Sequence, residues 1–187
     1  MPQAVSPDRL DARKSAVLVI DLQEKLVPVI PSGENVVHTT TRLLHAADEL
    51  RIPSAATVQY PKGLGAIVDP LVEWFPSPEE KLDFSAAVCR DHLDRWKSDG
   101  RKQIVCVGIE THICVLQTVL DLLNEGFDIH VVAEAVAARG GREHELAIDQ
   151  MRCSGAMITT FESVVFQWLG TADHPSFKAI SRLVKNG

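Results

Sequence analysis

The stretch Gln103–Leu123, QIVCVGIETHICVLQTVLDLL, decides how this chain folds. It begins with a continuous apolar run at 104–107, which is typical of a strand buried on both faces of a sheet. Gly108 interrupts the run, and from Thr111 onward apolar residues recur every three or four positions, which predicts a helix. A strand, a sharp turn and a helix in this order place Cys114 in the first turn of the helix.

Cys114 is therefore a candidate nucleophile. Backbone N–H groups in a helix's first turn have no intrahelical partner, and the local potential there is positive. This environment is expected to lower the pKa of the thiol and favour the thiolate. A dyad with His112 is an alternative, but residues two apart on a helix point to different sides. The other three cysteines lack a helix N-terminus and are interpreted as structural: Cys89, Cys106 and Cys153.

Predicted strands and helices alternate along the whole chain. The strands are expected at 16–20, 54–58, 79–84, 104–107, 127–133 and 156–160. The helices are expected at 35–50, 85–99, 111–124, 143–153, 161–169 and 176–185, with a short helical piece at 68–74 and a loop at 59–65. This alternation is typical of an α/β domain with a mostly parallel sheet between two helical layers. We expect one domain over 1–187, with 1–14 as a loosely held arm.

Asp21 is the second candidate catalytic residue, because it ends the first apolar strand. In sheets of this kind the ligand binds at the carboxyl ends of the strands. If the first strand lies beside the strand before Cys114, Asp21 faces the thiol across the site. A partly buried carboxylate there suits proton transfer, although a charged residue after a strand also commonly just begins a loop.

Composition excludes several classes of function. The net charge is −6 and the basic residues form no cluster, which argues against a nucleic-acid partner. No window approaches the roughly 18 apolar residues of a membrane span, and the N-terminus lacks the pattern of a secretory signal. Irregularly spaced cysteines are typical of a cytoplasmic protein with free thiols. Neither metal-ligand spacing of histidines nor a glycine-rich phosphate loop occurs, so we predict no metal and no cofactor.

Three motifs together resemble a known family. AVLVIDLQEKL at 16–26, EKLDFSAA at 80–87 and VGIETHICVLQTVLDLLNEGFDIHVVAEAVAAR at 107–139 are similar to motifs of the isochorismatase-like cysteine hydrolases, and the resemblance extends over about 15–168. It implies a single-domain, three-layer α/β fold with a six-stranded, mainly parallel sheet and helices on both faces. It also implies a homo-oligomer.

The resemblance assigns a catalytic triad. Asp21 matches the aspartate of the first-strand motif, Lys81 the lysine of K-x-x-F-S, and Cys114 the cysteine of G-[VI]-x-T-x-x-C-V. On composition alone, Lys81 would be interpreted as a solvated residue in a run of charges. The resemblance further implies a cis peptide bond between Ile109 and Glu110, and an oxyanion hole formed by the backbone N–H groups of Glu110 and Cys114.

The implied activity is hydrolysis of a small amide or related acyl compound through a thioester on Cys114. Nicotinamidases of this family bind a metal through an Asp-x-His pair and a further histidine, whereas the corresponding stretch here, TVQYPKGLGAIVDP at 57–70, has no histidine. The QYPKGLG segment is similar to the isochorismatase-domain-containing subgroup. Isochorismatase-type hydrolysis of a vinyl ether and a non-catalytic binding role are the alternatives. We assign four residues to the substrate pocket: Gln23, Tyr60, Trp74 and Phe84.

Overall fold

A six-stranded sheet forms the centre of the molecule in the computed structural model, which describes residues 6–185. The order of its strands is β3-β2-β1-β4-β5-β6, and every neighbouring pair is parallel. The strands are β1 (Ser15–Ile20), β2 (Ser54–Gln59), β3 (Glu79–Lys81), β4 (Gln103–Ile109), β5 (Asp128–Ala137) and β6 (Met157–Thr159). The predicted fold class is confirmed.

β1 and β4 lie side by side at the centre, where the strand order reverses direction. Every residue of both strands is buried, as their continuous apolar runs predicted. Their register pairs Ile20 with Gly108, so the two strands end at the same level. The loop that begins at Asp21 and the turn that carries Cys114 therefore leave the sheet next to each other.

Gly108 permits this close pairing at the end of the two strands. Its φ angle is +130°, a conformation that side chains other than glycine's rarely adopt. A Cβ atom at this position would lie 2.0 Å from the carbonyl oxygen of Ile20 on β1. Only a residue without a side chain fits between the two backbones here.

Helices cover both faces of the sheet and complete three layers. One core lies between the sheet and helices α1, α6 and α7, and the other lies between the sheet and helices α3, α4 and α5. The helices are α1 (Gly33–Glu49), α2 (Pro61–Leu64), α3 (Arg90–Ser98), α4 (Leu116–Asn124), α5 (Gly141–Cys153), α6 (Phe161–Leu169) and α7 (Phe177–Lys185). Within residues 6–185, no helix is long and apolar enough to cross a membrane.

Several predicted boundaries differ from the structure. The segment 85–99 is a single 3₁₀ turn followed by α3, because Cys89 leaves the helical region with φ −80° and ψ 86°. Ser85 still acts as an N-cap, since its side chain accepts a hydrogen bond from the N–H of Ala87. The segment 68–74 contains only a 3₁₀ turn at Asp69–Leu71, and the expected loop after β2 contains the one-turn helix α2.

The expectation of a loosely held arm at 1–14 is wrong for residues 10–14, while residues 1–5 lie outside the described part. Leu10 is buried in the core against α6, and its N–H donates to Gln167 at 3.0 Å. The N–H of Asp11 donates to the side chain of Gln103 at 2.8 Å. Arg101 donates to the carbonyl oxygen of Ala12 and the N–H of Gln103 to that of Lys14, so one apolar side chain and four non-local hydrogen bonds hold this segment on the domain.

Candidate active site

The carboxyl edge of the sheet brings together the three residues that the sequence nominated. Asp21 follows β1, Lys81 ends β3, and Cys114 lies in the turn after β4. Asp21 has no exposed surface, and Lys81 and Cys114 are also buried. The expectation that Asp21 and the Cys114 turn leave neighbouring strands is confirmed.

An ion pair between Lys81 and Asp21 lies at the centre of the site. Nζ of Lys81 is 2.6 Å from Oδ2 of Asp21, and neither side chain has any exposed surface. A desolvated pair is costly unless further hydrogen bonds satisfy both groups. The ammonium group also donates to the side-chain oxygen of Gln59 at 2.8 Å and to the carbonyl oxygen of Phe84 at 3.0 Å. The carbonyl oxygen of Asp83 lies at 3.3 Å as well, so four acceptors surround its three protons.

β2 supplies two neutral side chains that sequence reasoning missed, Thr57 and Gln59. Because β2 lies between β1 and β3, alternate residues on it reach both ends of the ion pair. The hydroxyl of Thr57 donates to Oδ1 of Asp21 at 2.9 Å, while Gln59 accepts from Lys81. Polar residues two apart near the end of an apolar strand were the available signal. The signal could be interpreted only once the strand order was known, because that order places β2 between Asp21 and Lys81.

The backbone at Asp21 is also unusual. Its φ angle is +55°, in the left-handed region that Asp and Asn tolerate better than most residues. Its N–H donates to the carbonyl oxygen of Thr57 at 3.2 Å. Contacts to β2 therefore fix both the backbone and the carboxylate of Asp21.

Cys114 lies in a π-helical turn, Thr111–Val115, that precedes α4. The wide turn is marked by the hydrogen bond from the N–H of Val115 to the carbonyl oxygen of Glu110, at 3.2 Å. Thr118 in α4 connects this turn to the segment after β3, because its hydroxyl donates to the carbonyl oxygen of Cys114 at 2.6 Å and accepts from the N–H of Ala86 at 2.8 Å. Thr118 is a further residue that sequence reasoning missed.

The expectation of a lowered thiol pKa is wrong. Burial raises the pKa of the Cys114 thiol to about 12, and the negative charge of Asp21 acts in the same direction. The positive charge of Lys81 lowers the pKa but does not compensate. The field at the helix end favours the thiolate, but burial and the carboxylate beside the sulfur outweigh it. At neutral pH the sulfur carries its proton, so a base must remove that proton for the sulfur to attack.

The turn between β4 and Cys114 contains a cis peptide bond, Ile109–Glu110, as the resemblance implied. The side chain of Glu110 is almost fully buried and forms an ion pair with Arg139, which follows β5. The oxyanion hole assigned to the N–H groups of Glu110 and Cys114 stays a prediction.

Two of the four residues assigned to the substrate pocket lie beside the triad. Tyr60 and Lys81 line one cavity of about 380 Å³, and the Tyr60 ring lies over Gly63. The ring of Phe84 is half-exposed, while its carbonyl oxygen accepts from Lys81. Contact of these side chains with a substrate stays a prediction.

The other two residues assigned to the pocket, Gln23 and Trp74, contact other parts of the protein. Gln23 is fully buried, and its amide group bonds to both backbone groups of Gln59 and to the carbonyl oxygen of Gly65. All of this bonding is internal, so Gln23 holds the strand and the loop together. Trp74 packs edge-on against His45, with ring centroids 4.8 Å apart. His45 lies in α1, and contact of Trp74 with a substrate stays a prediction.

The remaining cysteines differ from Cys114 in their surroundings. All four cysteines are free thiols. Burial raises the pKa of Cys106 to about 12, and burial followed by the charge of Glu79 raises the pKa of Cys89 to about 11. Cys153 is exposed at the end of α5. In the described part of the chain, no three His, Cys, Asp or Glu side chains come close enough to hold a metal ion.

Comparison with known proteins identifies the family. The family model described as Isochorismatase domain matches residues 15–163. The chain belongs to the isochorismatase family. A curated relative, isochorismatase domain-containing protein 2 of Xenopus laevis, is 37% identical over 176 residues, which are 94% of this chain and 86% of the relative.

Solved structures share the isochorismatase fold. The MAR1 ribonuclease of Caenorhabditis elegans is 38% identical with a TM-score of 0.88, over 95% of this chain and 92% of that protein. YcaC of Escherichia coli, described as an octameric hydrolase of unknown specificity, is 26% identical with a TM-score of 0.85, over 98% of this chain and 92% of that one. This isochorismatase-family chain therefore has the fold of a family of hydrolases, and relatives of the same fold carry different activity names.

Proposed function

We propose that this chain is a cysteine hydrolase that cleaves a small amide or related acyl compound through a thioester on Cys114. The observation that carries the proposal is the buried Asp21–Lys81 pair, at 2.6 Å, beside a thiol whose pKa the Asp21 charge raises. A protonated sulfur next to a fixed carboxylate is the arrangement of a nucleophile and its general base.

Acylation begins when Asp21 accepts the thiol proton as the sulfur attacks the carbonyl carbon. The carbonyl oxygen becomes an oxyanion, which the backbone N–H groups of Glu110 and Cys114 stabilise. The C–N bond then breaks, and Asp21 returns the proton to the departing nitrogen. The products of this half-reaction are a free amine or ammonia and the thioester on Cys114.

Deacylation uses the same groups in reverse order. Asp21 accepts a proton from water as the water oxygen attacks the thioester carbon, and a second oxyanion forms in the same position. The C–S bond breaks, the acid is released, and the proton on Asp21 returns to the sulfur. The cycle needs no redox step and conserves every proton.

Lys81 keeps the base in place rather than exchanging protons itself. Its three donors are shared among Asp21, Gln59 and two backbone carbonyls, and its positive charge lies against the carboxylate in both half-reactions. Fixed charge in a desolvated site stabilises developing negative charge without reorganisation.

The end of β3 offers space for a small substrate. A cavity of about 380 Å³, near the lower end of the sizes typical of small-molecule sites, is lined there by Tyr60, Lys81 and Leu82, although Asp21 and Cys114 do not line it. The ring of Tyr60 is half-exposed and is free to contact a substrate.

The test is a panel of small primary amides, with ammonia release as the measurement. We expect Cys114→Ala to lose all turnover and to keep the melting temperature of the original protein. Cys153→Ala, at an exposed thiol, is the matched control and should keep full activity. Equal turnover by the original protein and Cys114→Ala would contradict the proposed mechanism.

Two other activities can be separated in the same experiment. The name of the Caenorhabditis elegans neighbour suggests ribonuclease activity as a second candidate. The net charge of −6 argues against it, since binding of a polyanion depends on a basic surface. Isochorismatase-type ether cleavage is the other. RNA and isochorismate as additional substrates, with Cys114→Ala as control, distinguish these reactions from acyl transfer.

We also propose a cytoplasmic homo-oligomer. The octameric description of YcaC supports self-association, and four free thiols suit a reducing compartment. Sedimentation of the purified protein would measure the size of the assembly.

A further inference from the structure

The oxyanion turn has an ionic support that lies outside the triad. Glu110 is the residue between β4 and the π-helical turn of Cys114, and its side chain is only 7% exposed. Three hydrogen bonds join its carboxylate to Arg139: one from the backbone N–H at 2.9 Å, and two from Nε at 3.0 Å and 3.1 Å. Two N–H groups of one residue, one in the backbone and one in the side chain, therefore hold this carboxylate.

Glu110 is held at its backbone as well as at its side chain. Its carbonyl oxygen accepts from the N–H of Ile113 at 3.0 Å and from the N–H of Val115 at 3.2 Å, and these bonds begin the turn that carries Cys114. The side-chain bonds join the same residue to the end of β5, where Ala137 pairs with Ile109. The backbone after Glu110 is therefore held by the turn of Cys114, while the residue before it and its own side chain are held at the end of β5.

We propose that Arg139 is a positioning residue for the oxyanion hole: it holds Glu110 so that the N–H of Glu110 faces the developing oxyanion, and it neutralises the carboxylate beneath that oxyanion. This inference rests on the proposed acyl transfer at Cys114. Neither effect involves contact of Arg139 with the substrate. Both act only when negative charge forms on a carbonyl oxygen.

The positive charge of Arg139 also favours the oxyanion, because it offsets the negative charge of Glu110. An unpaired carboxylate on Glu110 would repel an oxyanion formed above the same residue, and this repulsion is strong in a desolvated site. Arg139 removes that repulsion. Because the Arg139 side chain is 60% exposed, water can replace it when it is shortened, and the fold is expected to survive.

Two reactions of Cys114 separate this role from a general effect on the thiol. Acylation by p-nitrophenyl acetate passes through an oxyanion, whereas alkylation by iodoacetamide displaces iodide at a saturated carbon and forms none. A residue that positions the oxyanion hole affects the first rate and not the second. A residue that changes the thiol or its access affects both.

The experiment measures both rates on the purified full chain, with the modified residue located by mass spectrometry. For Arg139→Gln we expect acylation to slow by about 10- to 100-fold, as small displacements of oxyanion donors do, with an unchanged alkylation rate. Arg139→Lys keeps the charge and loses the Nε donor, so its acylation rate should lie between those of the original protein and Arg139→Gln. Arg142→Gln, an exposed arginine on α5, is the matched control and should keep both rates.

A second substitution tests the charge. Glu110→Gln combined with Arg139→Gln removes the repelling carboxylate, and we expect it to recover part of the acylation rate lost in Arg139→Gln. Equal acylation of the original protein and Arg139→Gln would overturn the inference, and so would an equal loss of both rates. If p-nitrophenyl acetate does not acylate Cys114 in the original protein, the proposed function fails instead, and the inference fails with it.

Discussion

The two sides of Cys114 are built differently. On the side of β1, β2 and β3, the base Asp21 is held by Lys81 and Thr57, and these groups are almost completely buried. On the side of β4 and β5, Glu110 is held by Arg139, whose side chain is 60% exposed. One side is a closed polar network inside the protein, and the other is an ion pair that reaches the surface.

The difference matters because the proposed mechanism gives the two sides different tasks. A general base must keep one orientation and one charge, which a desolvated and fully satisfied network provides. An oxyanion hole needs accurate placement of N–H groups but little buried charge of its own. We therefore expect substitutions on the base side to affect stability and chemistry together, and substitutions on the oxyanion side to affect chemistry with little change in stability.

The largest effect is expected for Lys81→Met. It leaves the carboxylate of Asp21 buried without its cation, which should lower the free energy of unfolding by about 3–5 kcal/mol and abolish turnover. Chemical denaturation measures the change in stability, and Lys178→Met, at an exposed lysine on α7, is the control. The double substitution Asp21→Asn with Lys81→Met should be less destabilised than Lys81→Met alone. If it is not, the burial of charge is not the cause.

The next effect concerns the thiol itself. The pKa of Cys114 is raised to about 12. At any pH below that value, each increase of one pH unit therefore increases the thiolate fraction about tenfold. The iodoacetamide reaction at Cys114 should therefore keep accelerating about tenfold per unit from pH 7 to pH 10, without a plateau. Exposed Cys153 provides the internal comparison in the same digest. A plateau for Cys114 near pH 8 would show that the Asp21 side does not raise its pKa.

The smallest effect is expected in the stability of Arg139→Gln. The arginine is mostly exposed, and the backbone N–H of residue 139 keeps one bond to Glu110, so the free energy of unfolding should fall by about 1 kcal/mol or less. Denaturation of Arg139→Gln beside Lys81→Met compares the two sides of Cys114 directly. A loss as large as that of Lys81→Met would contradict the contrast between them.

Local pattern was sufficient for the central strands and for their positions beside the candidate site. Continuous apolar runs predicted β1 and β4, because burial on both faces of a strand requires consecutive apolar residues. The strand-end rule nominated Asp21 and Cys114 without any relative, and their catalytic roles stay predictions.

Lys81 could not be predicted from pattern, since EEKLD reads as a solvated run of charges. Its burial depends on the pairing of β3 with β2, where Lys81 lies opposite Gln59. A second non-local pairing, that of β2 with β1, brings Thr57 to Asp21. Only the resemblance to a family carried this information before the structure.

The thiol pKa was mispredicted for a related reason. The sequence shows that Cys114 begins a helix, but it does not show a π-helical turn or a carboxylate within reach of the sulfur. Desolvation and a neighbouring charge outweigh the field of a helix end here. Electrostatic predictions need the neighbours that the fold supplies.

Gly108 allows the ends of β1 and β4 to approach closely, and this sets a distance within the candidate site. Neighbouring strands lie about 4.8 Å apart, and where β1 and β4 end, a methyl group on residue 108 would meet the carbonyl oxygen of Ile20. In the proposed mechanism the base follows one strand and the nucleophile follows the other, so the spacing of the two main chains limits the distance that the proton travels. Gly108 has no chemistry of its own, yet the absence of its side chain sets that spacing.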